Sequence, residues 1–500
     1  MTTMSTRPTA RSWSGEEGIA LVLAMFMVLV VSLLGASLAT VGRTETLSSL
    51  NYRTMSQARY AAESGLHSAA NYLIHTYQAP GVDAGDTLAN YNFTVSPVTY
   101  NNQPVVLTTV AGEASNYPVV AKVNAFGNNA SGPLQMANTT TTYSARARLL
   151  SMRQFPDAYS GGNVTIQTWE ITGVGLIRGA GAAAVEVSAI IETQAVPAYR
   201  YAAFATDDKC EALYFGGGGQ TDSYNSANNV GNNATIDNPP FGGDVGTNGG
   251  LKVSGAKSIV NGKLSTPRSG VGTCDNGNVI ALDGDPPDVQ GMVKLPQGVK
   301  MSTPDPIVPP PPVTGIDFKK TGGCPAGAPA QCTAAGDVIT ITPVGNTPVQ
   351  MGNVSVSALA EMHLNKGIYE VNSLDINGNA KISIDSGPVV FRIAGKDTAS
   401  PLSINGGGIV NGAKVPKNLQ FVYGGTSEIL INGNAAASFL MYAPNATVTM
   451  TGGAEIYGAL VGAKVKDNGG ARIHYDRQLA GWAYTEGNPT MTSFTWSSTD

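Results

Sequence analysis

Gly18-Ile19-Ala20-Leu21-Val22-Leu23 opens the stretch whose reading decides this chain. The uncharged run Ile19–Gly42, IALVLAMFMVLVVSLLGASLATVG, follows the polar leader Met1–Gly18 with no spacer. At about 1.5 Å per residue, a helix of that length is roughly 36 Å long, enough to cross the ~30 Å hydrocarbon core of a bilayer. The helical pattern continues past Gly42. No proline occurs from Arg43 to Gln78. Apolar or small residues recur at Leu47, Leu50, Met55, Ala58, Ala61, Ala62, Gly65, Leu66, Ala69 and Leu73, one stripe at helical spacing. Pro80-Gly81 then stops it. The spacing predicts one helix over Ile19–Gln78, about 90 Å long, apolar all round in its first half and amphipathic in its second.

The chain has 500 residues, of which 13% are charged and 60 are glycine, with 42% hydrophobic residues and a net charge of −5. That charge content is about half of the ~25% usual for soluble domains. Low charge with abundant glycine suits a β-rich exported protein full of tight turns, and the hydrophobic content excludes a disordered chain. No basic patch stands out, so nucleic acid is not an expected partner. The cysteines Cys210, Cys274, Cys324 and Cys332 all lie beyond the apolar run, and an even number in an exported region permits two disulfides. The short loop between Cys324 and Cys332 favours pairing those two, leaving Cys210 with Cys274; free structural thiols are the alternative. A zinc site is disfavoured, because no CxxC or nearby histidine accompanies them.

Three readings compete for the N-terminus. A cleaved secretory signal would use Ser37-Leu38-Ala39 as its cutting site, but the apolar run is too long for one. A plain anchor is the second, and its orientation is unsettled: Arg7 and Arg11 lie on one side of the run, Arg43, Arg53 and Arg59 on the other. The third, a type IV pilin-like segment, explains why the helix outlasts the membrane. Gly18–Leu23, the apolar helix and Gln57-Ala58-Arg59-Tyr60-Ala61-Ala62-Glu63-Ser64-Gly65 resemble the N-terminal domain of PilX-type minor pilins, over roughly residues 15–77. The resemblance implies cleavage by prepilin peptidase between Gly18 and Ile19, methylation of the new amine, and packing among other pilins. Two positions depart from the family pattern. Glu16 and Glu17 stand where pilin leaders are basic, and Leu23 stands where major pilins carry a glutamate. A buried carboxylate needs a partner charge, and family members that lack it are minor, tip-proximal subunits.

Residues 82–205 read as strands between polar loops, clearest at 164–171 and 185–191, forming a small sheet that covers the amphipathic stripe. The Gly/Asn-rich stretch after Cys210 includes the four glycines 216–219. With no GK[ST] after them they make a turn rather than a phosphate loop. The proline-rich segment from Pro296 to Pro312 predicts an extended polyproline II spacer or surface crossing. A degenerate repeat follows at Ile376–Ile382, Ile404–Ile409, Ile431–Ala435, Thr451–Ile456 and Asp467–Ile473, each a Gly/Asn turn beside a β-branched strand. That spacing predicts stacked coils. Glycine supplies the corners, and asparagine can ladder with asparagine in the next coil. The expected fold is therefore mainly β with one long N-terminal α-helix: a pilin-like helix and small sheet, then a right-handed parallel β-helix. Its expected divisions are a leader (1–18), the long helix (19–78), a pilin-like β domain (79–205), Gly/Asn-rich coils (206–295), a Pro-rich insertion or linker (296–349), and a β-helix with a tail (350–500). The tail segment Met491–Trp496 is expected to cap the open end.

Parallel β-helices host polysaccharide-cleaving enzymes that use paired carboxylates. Asp375, Asp385, Glu428, Glu455, Asp467 and Asp476 are the acids to watch, with solvated surface acids as the simpler reading. The segment from Asp375 to Asn379 hints at a calcium loop, but Ala380 and Ser386 occupy positions where an EF-hand needs glycine and glutamate. His67 and His75 fall on the long helix, and His363 is isolated. His474 precedes Tyr475-Asp476, a tempting dyad for which packing is the simpler account. No GxSxG or HExxH motif occurs. The expectation is a non-enzymatic minor pilin or pseudopilin with no cofactor or metal. It is expected to sit in the bacterial inner membrane before assembly and then on the pilus or cell surface. Its expected partners are other pilins, prepilin peptidase, the membrane, and a surface or glycan bound by the β-helix. The rivals are a membrane-anchored β-helical polysaccharide-degrading enzyme and an exported adhesin.

Overall fold

The computed structural model describes residues 17–81, 85–136, 139–157, 163–178, 182–275, 278–283, 289–320, 323–405, 408–433 and 436–499. Most of the leader, and the turn residues 406–407 and 434–435 of two repeats, lie outside the described residues. One helix, α1, runs unbroken over Glu17–His75. Its apolar half has nothing packed on it. Its second half lies on an antiparallel sheet of long strands: β1 (Thr139–Pro156), β2 (Asn163–Ile177) and β3 (Ala183–Pro197).

These strands alternate buried and part-exposed residues, as a sheet with one face on a core and one on water must. The buried positions Ala145, Ala147, Leu149, Trp169, Ile171, Val187, Ala189 and Ile191 share one core with Ala58, Ala62, Leu66, Ala69 and Tyr72 of α1. A short helix, α2 (Val120–Asn129), adds Phe126 to that core. The far edge beyond β3 is β4 (Tyr484–Thr499), the last strand of the chain, paired antiparallel from Tyr484 opposite Pro197 to Thr499 opposite Ala184. The tail expected to cap the coils instead completes the head sheet. Its alternating threonines and apolar residues suit a half-covered strand.

Everything from residue 198 to 483 is thus inserted between two neighbouring strands, β3 and β4. The insertion is a stack of short strands in ladders that are parallel throughout the main sheet. The core is built in columns across successive tiers. Ile376, Ile404, Ile431 and Met450 stack in register. So do Tyr369, Phe391 and Phe421, with ring centroids 5.4 and 5.5 Å apart. Beside these columns Asn432 Nδ2 donates to Asn405 Oδ1 at 2.9 Å, the asparagine ladder that the repeat predicts. An antiparallel hairpin, Cys332–Ala335 with Val338–Ile341, closes one border of the smaller sheet.

The order of the tiers departs from chain order. The first tier, Ala203–Tyr224, sits between Glu455–Asp476 on one side and Val245–Val260 on the other. The chain therefore enters in the middle of the stack and builds outward to Val289–Lys294. It then crosses to the opposite end at Gly315–Phe318 and returns tier by tier until Arg472–Asp476 pairs with Gln220–Tyr224. The four-glycine run lies at this seam. A side chain on Gly470 (φ +76) would stand 2.4 Å from the Gly217 carbonyl oxygen, so only glycine lets these corners meet.

The proline-rich segment makes the crossing on the outside of the stack. Met301, Pro304 and Ile307 are buried at intervals of three, the period of a polyproline II helix laid along a surface. Its contacts walk down the tiers in order. Asn248 Oδ1 accepts from Val299 N, Tyr442 Oη donates to the Ser302 carbonyl, Asn445 Nδ2 to Thr303 Oγ1, and Gln350 Nε2 to the Pro309 carbonyl. At ~3.1 Å per residue the strap reaches about 45 Å between residues 299 and 314, and the tiers crossed at ~4.8 Å each need about 34 Å.

Candidate functional site

Two surfaces hold the residues singled out by sequence: the helix α1 and the outer corners of the stack. On α1, Gly18 and Ile19 lie in the first turn, in the open, and Leu23 is 58% exposed within the uncharged, exposed run from Ile19 to Gly42. Below residue 55 the helix turns its small residues to the sheet. Ala58, Ala61, Ala62, Leu66 and Ala69 are fully buried. The approach is backbone to backbone: a Cβ on Gly175 would stand 1.9 Å from the Ala58 carbonyl oxygen, and one on Gly173 2.0 Å from that of Ala62. Gly65 likewise lies against the Ser144 carbonyl, at 2.6 Å from where its Cβ would be. The QARYAAESG segment therefore has a packing reason. Its alanines and glycine bring the helix onto β1 and β2, while Arg59 and Glu63 pair at 2.9 Å on the outside. His67 and His75 are both on the exposed side.

Past the end of α1 a buried charged group fixes the head, and nothing in the sequence set it apart. Asp86 is fully buried and accepts from Tyr91 Oη at 2.6 Å, Tyr117 Oη at 2.7 Å and Lys122 Nζ at 2.5 Å. Lys122 also donates to the Gln78 carbonyl at 2.7 Å, next to the C-terminus of α1 where unpaired carbonyls gather. Burial pushes the hydroxyls of Tyr91 and Tyr117 well above the usual tyrosine range, helped by the Asp86 carboxylate at Tyr91 and by the neighbouring tyrosines at Tyr117. Aspartate and lysine read as surface residues until the fold brings them together.

The six acids of the stack are spread over its corners. Asp375 Oδ2 accepts from Asn377 Nδ2 at 2.6 Å, and Asp385 Oδ1 lies 2.7 Å from His363 Nδ1. Glu428 accepts from the Thr449 hydroxyl, and Glu455 faces Arg472 at 3.9 Å in the next tier. Asp476 is buried and caps a short turn through the amides of Ser226 and Gln478. Asp467 is buried too, accepting from the amides of Gly469 and Ala471 at 3.0 and 2.9 Å. Its burial raises its pKa, and its Oδ2 has no hydrogen-bond partner among the described residues.

His474 pairs with Asp222 across the seam rather than with Asp476, its ring tilted against that of Tyr457 with centroids 4.5 Å apart. The two residues are 252 positions apart, which is why the sequence offered only the neighbouring acid. Asp222, His474 and Tyr457 are all buried. Among the described residues no three His, Cys, Asp or Glu side chains come together as a metal site. Cys210 is bonded to Cys274 and Cys324 to Cys332.

Residues 17–67 match the PilX N-terminal family, and residues 360–482 match a domain family of unknown function, DUF7305. No curated protein sequence matches the chain. The crystal structure of the competence-associated pilin ComZ from Thermus thermophilus aligns over 89% of this chain and 98% of its own. The identity is 13% and the TM-score 0.25, a likeness too low to bear on the fold.

Proposed function

We propose, starting from an N-terminal segment that is of the PilX minor-pilin type, that this pilin-like, type IV pilus-related protein is a non-enzymatic minor pilin or pseudopilin. In this reading prepilin peptidase cuts between Gly18 and Ile19, and the chain stands as a single-pass protein in the bacterial inner membrane until it joins a filament beside other pilins. The observation that carries the reading is the division of α1. Its first half is apolar on every side and bare, while its second half is packed under its own sheet. A bare apolar helix of this length is stable only in lipid or against other helices.

The inserted stack is read as a right-handed parallel β-helix, roughly 45 Å long at about 4.8 Å per tier. An appendage of that size on every subunit would crowd a filament, which favours a place at the tip. Its exposed face would there meet a surface or a glycan. Leu23, in place of a carboxylate, agrees with a subunit that starts or ends a filament instead of filling it.

Intact mass and N-terminal sequencing of the protein recovered from membranes test the reading. Maturation at a methylated Ile19 is expected. An uncut chain would make it a plain anchor, and a start at Thr40 would make it a secreted protein.

A further inference from the structure

The last strand of the head sheet carries a bare strip beside α1. In β4, Met491, Phe494 and Trp496 are 45%, 46% and 57% exposed. Their paired neighbours on β3 are Ile191, Ala189 and Val187, all buried in the core beneath α1. Residues paired across a ladder share a face, so the three large side chains lie on the helix-bearing side of the sheet, beyond the edge of α1. The Arg59 guanidinium over the Trp496 ring, 5.5 Å from its centroid, marks where α1 ends and the strip begins. From Thr490 to Thr499 the strand carries no charged residue.

We infer that this strip is a seat for a second long helix, that of a neighbouring pilin standing beside this subunit in the membrane. Three features select a helix. The axis of α1 runs over β2, where Gly173 and Gly175 touch its backbone. β4 lies two strands from β2, which at ~4.8 Å per strand is about 9.6 Å, and packed helices keep their axes about 8–10 Å apart. The sheet is therefore one helix wider than α1 needs. The strip also runs alongside α1, because Gly175 and Gly173 meet Ala58 and Ala62 in step along β2 and β3 and β4 are in register with that strand, so one straight partner helix can lie on it parallel to α1. Finally, an uncharged ridge of Met, Phe and Trp complements a pilin helix, which presents an apolar stripe. The free backbone edge of β4 invites a strand instead, and that alternative is an outcome of the test.

The inference rests on the pilin reading, and the experiment separates the two. A photo-crosslinking amino acid is placed at Phe494 of the full-length protein in cells that assemble it, with Leu34 on α1 as the reference position. The expected product joins Phe494 to the long helix of another pilin, mapped by mass spectrometry, in protein already processed at Ile19. Crosslinks to a strand of another head, to lipid only, or to nothing while Leu34 reacts would overturn the seat and leave the pilin reading intact. An unprocessed chain would overturn the reading beneath it. Phe494→Asp with Trp496→Asp is expected to lower recovery in filaments at least tenfold, with membrane level and protease resistance of the head unchanged. Filament recovery equal to that of the parent would refute the seat.

Discussion

Replacing Gly175 with alanine should loosen α1 from the head and leave the stack untouched. The new Cβ would stand 1.9 Å from the Ala58 carbonyl oxygen and 2.6 Å from the Ala62 nitrogen, both backbone atoms that cannot swing aside. Reaching an ordinary contact requires α1 to rise by about 1.5 Å, and a gap of even 0.5–1 Å already forfeits a quarter to a half of each dispersion contact. The loss falls on Ala58, Ala62, Leu66 and Ala69, the whole buried line of the helix. The expected cost is about 3 kcal/mol, at the top of the range for overpacking. Gly173→Ala meets the Ala62 carbonyl in the same way, and one lift clears both clashes. The double variant should thus cost far less than the sum of the singles. Gly127→Ala is the control: that glycine lies in α2 with nothing within 4 Å of the added carbon, so the change should stabilise by about 0.5–1 kcal/mol through helix propensity. Hydrogen exchange on the full-length protein in detergent reads the effect segment by segment. Amides of residues 58–69 should lose protection in Gly175→Ala while those of 419–460 keep theirs. Unchanged protection of α1, or loss that begins in the stack, would refute the close-packing argument.

The remaining predictions concern the buried charges and the crosslinks. Asp86→Ala strands Lys122 without its partner in the head core and should cost about 3–5 kcal/mol by chemical denaturation, with Asp86→Asn, which keeps one of the two acceptor oxygens, costing less. Asp467 has a folded pKa raised by burial, so the wild type is free of penalty below its unfolded pKa and loses stability as pH rises through the folded value. Asp467→Asn retains the amide acceptor and should gain in melting temperature relative to wild type as pH goes from 4 to 7; a gain that shrinks with pH would contradict the assignment. The disulfide Cys210–Cys274 closes 64 residues and Cys324–Cys332 closes 8. By chain entropy these are worth up to about 4 and 2.5 kcal/mol, so the paired serine variants should rank in that order in denaturant midpoint.

How much of this was legible in the sequence depends on the range of the interaction. The long helix was plain, because an apolar run and a small-residue stripe are local patterns; its limits, Glu17–His75, differ from the expected span by only a few residues. The corner repeats were also local, each announcing a turn by Gly and Asn. Gly173 and Gly175 could have been found, since glycine inside a strand marks close backbone approach. Asp86 with Lys122, and Asp222 with His474, had no such mark: their partners lie 36 and 252 residues away. The tail was misplaced for the same reason. Its alternation identifies a strand, but only the pairing with β3 says which sheet receives it.

The insertion ties the two halves of the molecule together in a way that their separate cores conceal. β4 is made after the whole stack, and it pairs with β3, which was made before it. The head sheet is therefore finished only when the stack brings residue 484 back to residue 197. That return depends on the seam, where Gln220–Tyr224 pairs with Arg472–Asp476. Until then the first tier has an open face, and its Asp222 has no histidine. Contacts at such separation form late, because loop closure must come before they contribute. The strap adds the complementary constraint, since the stack can return to the seam only if the chain has first crossed to the far end. A head built around an inserted stack thus exposes its outer strip on β4 only once the stack is complete, so a neighbour that seats on Met491, Phe494 and Trp496 would select finished subunits over partly folded ones.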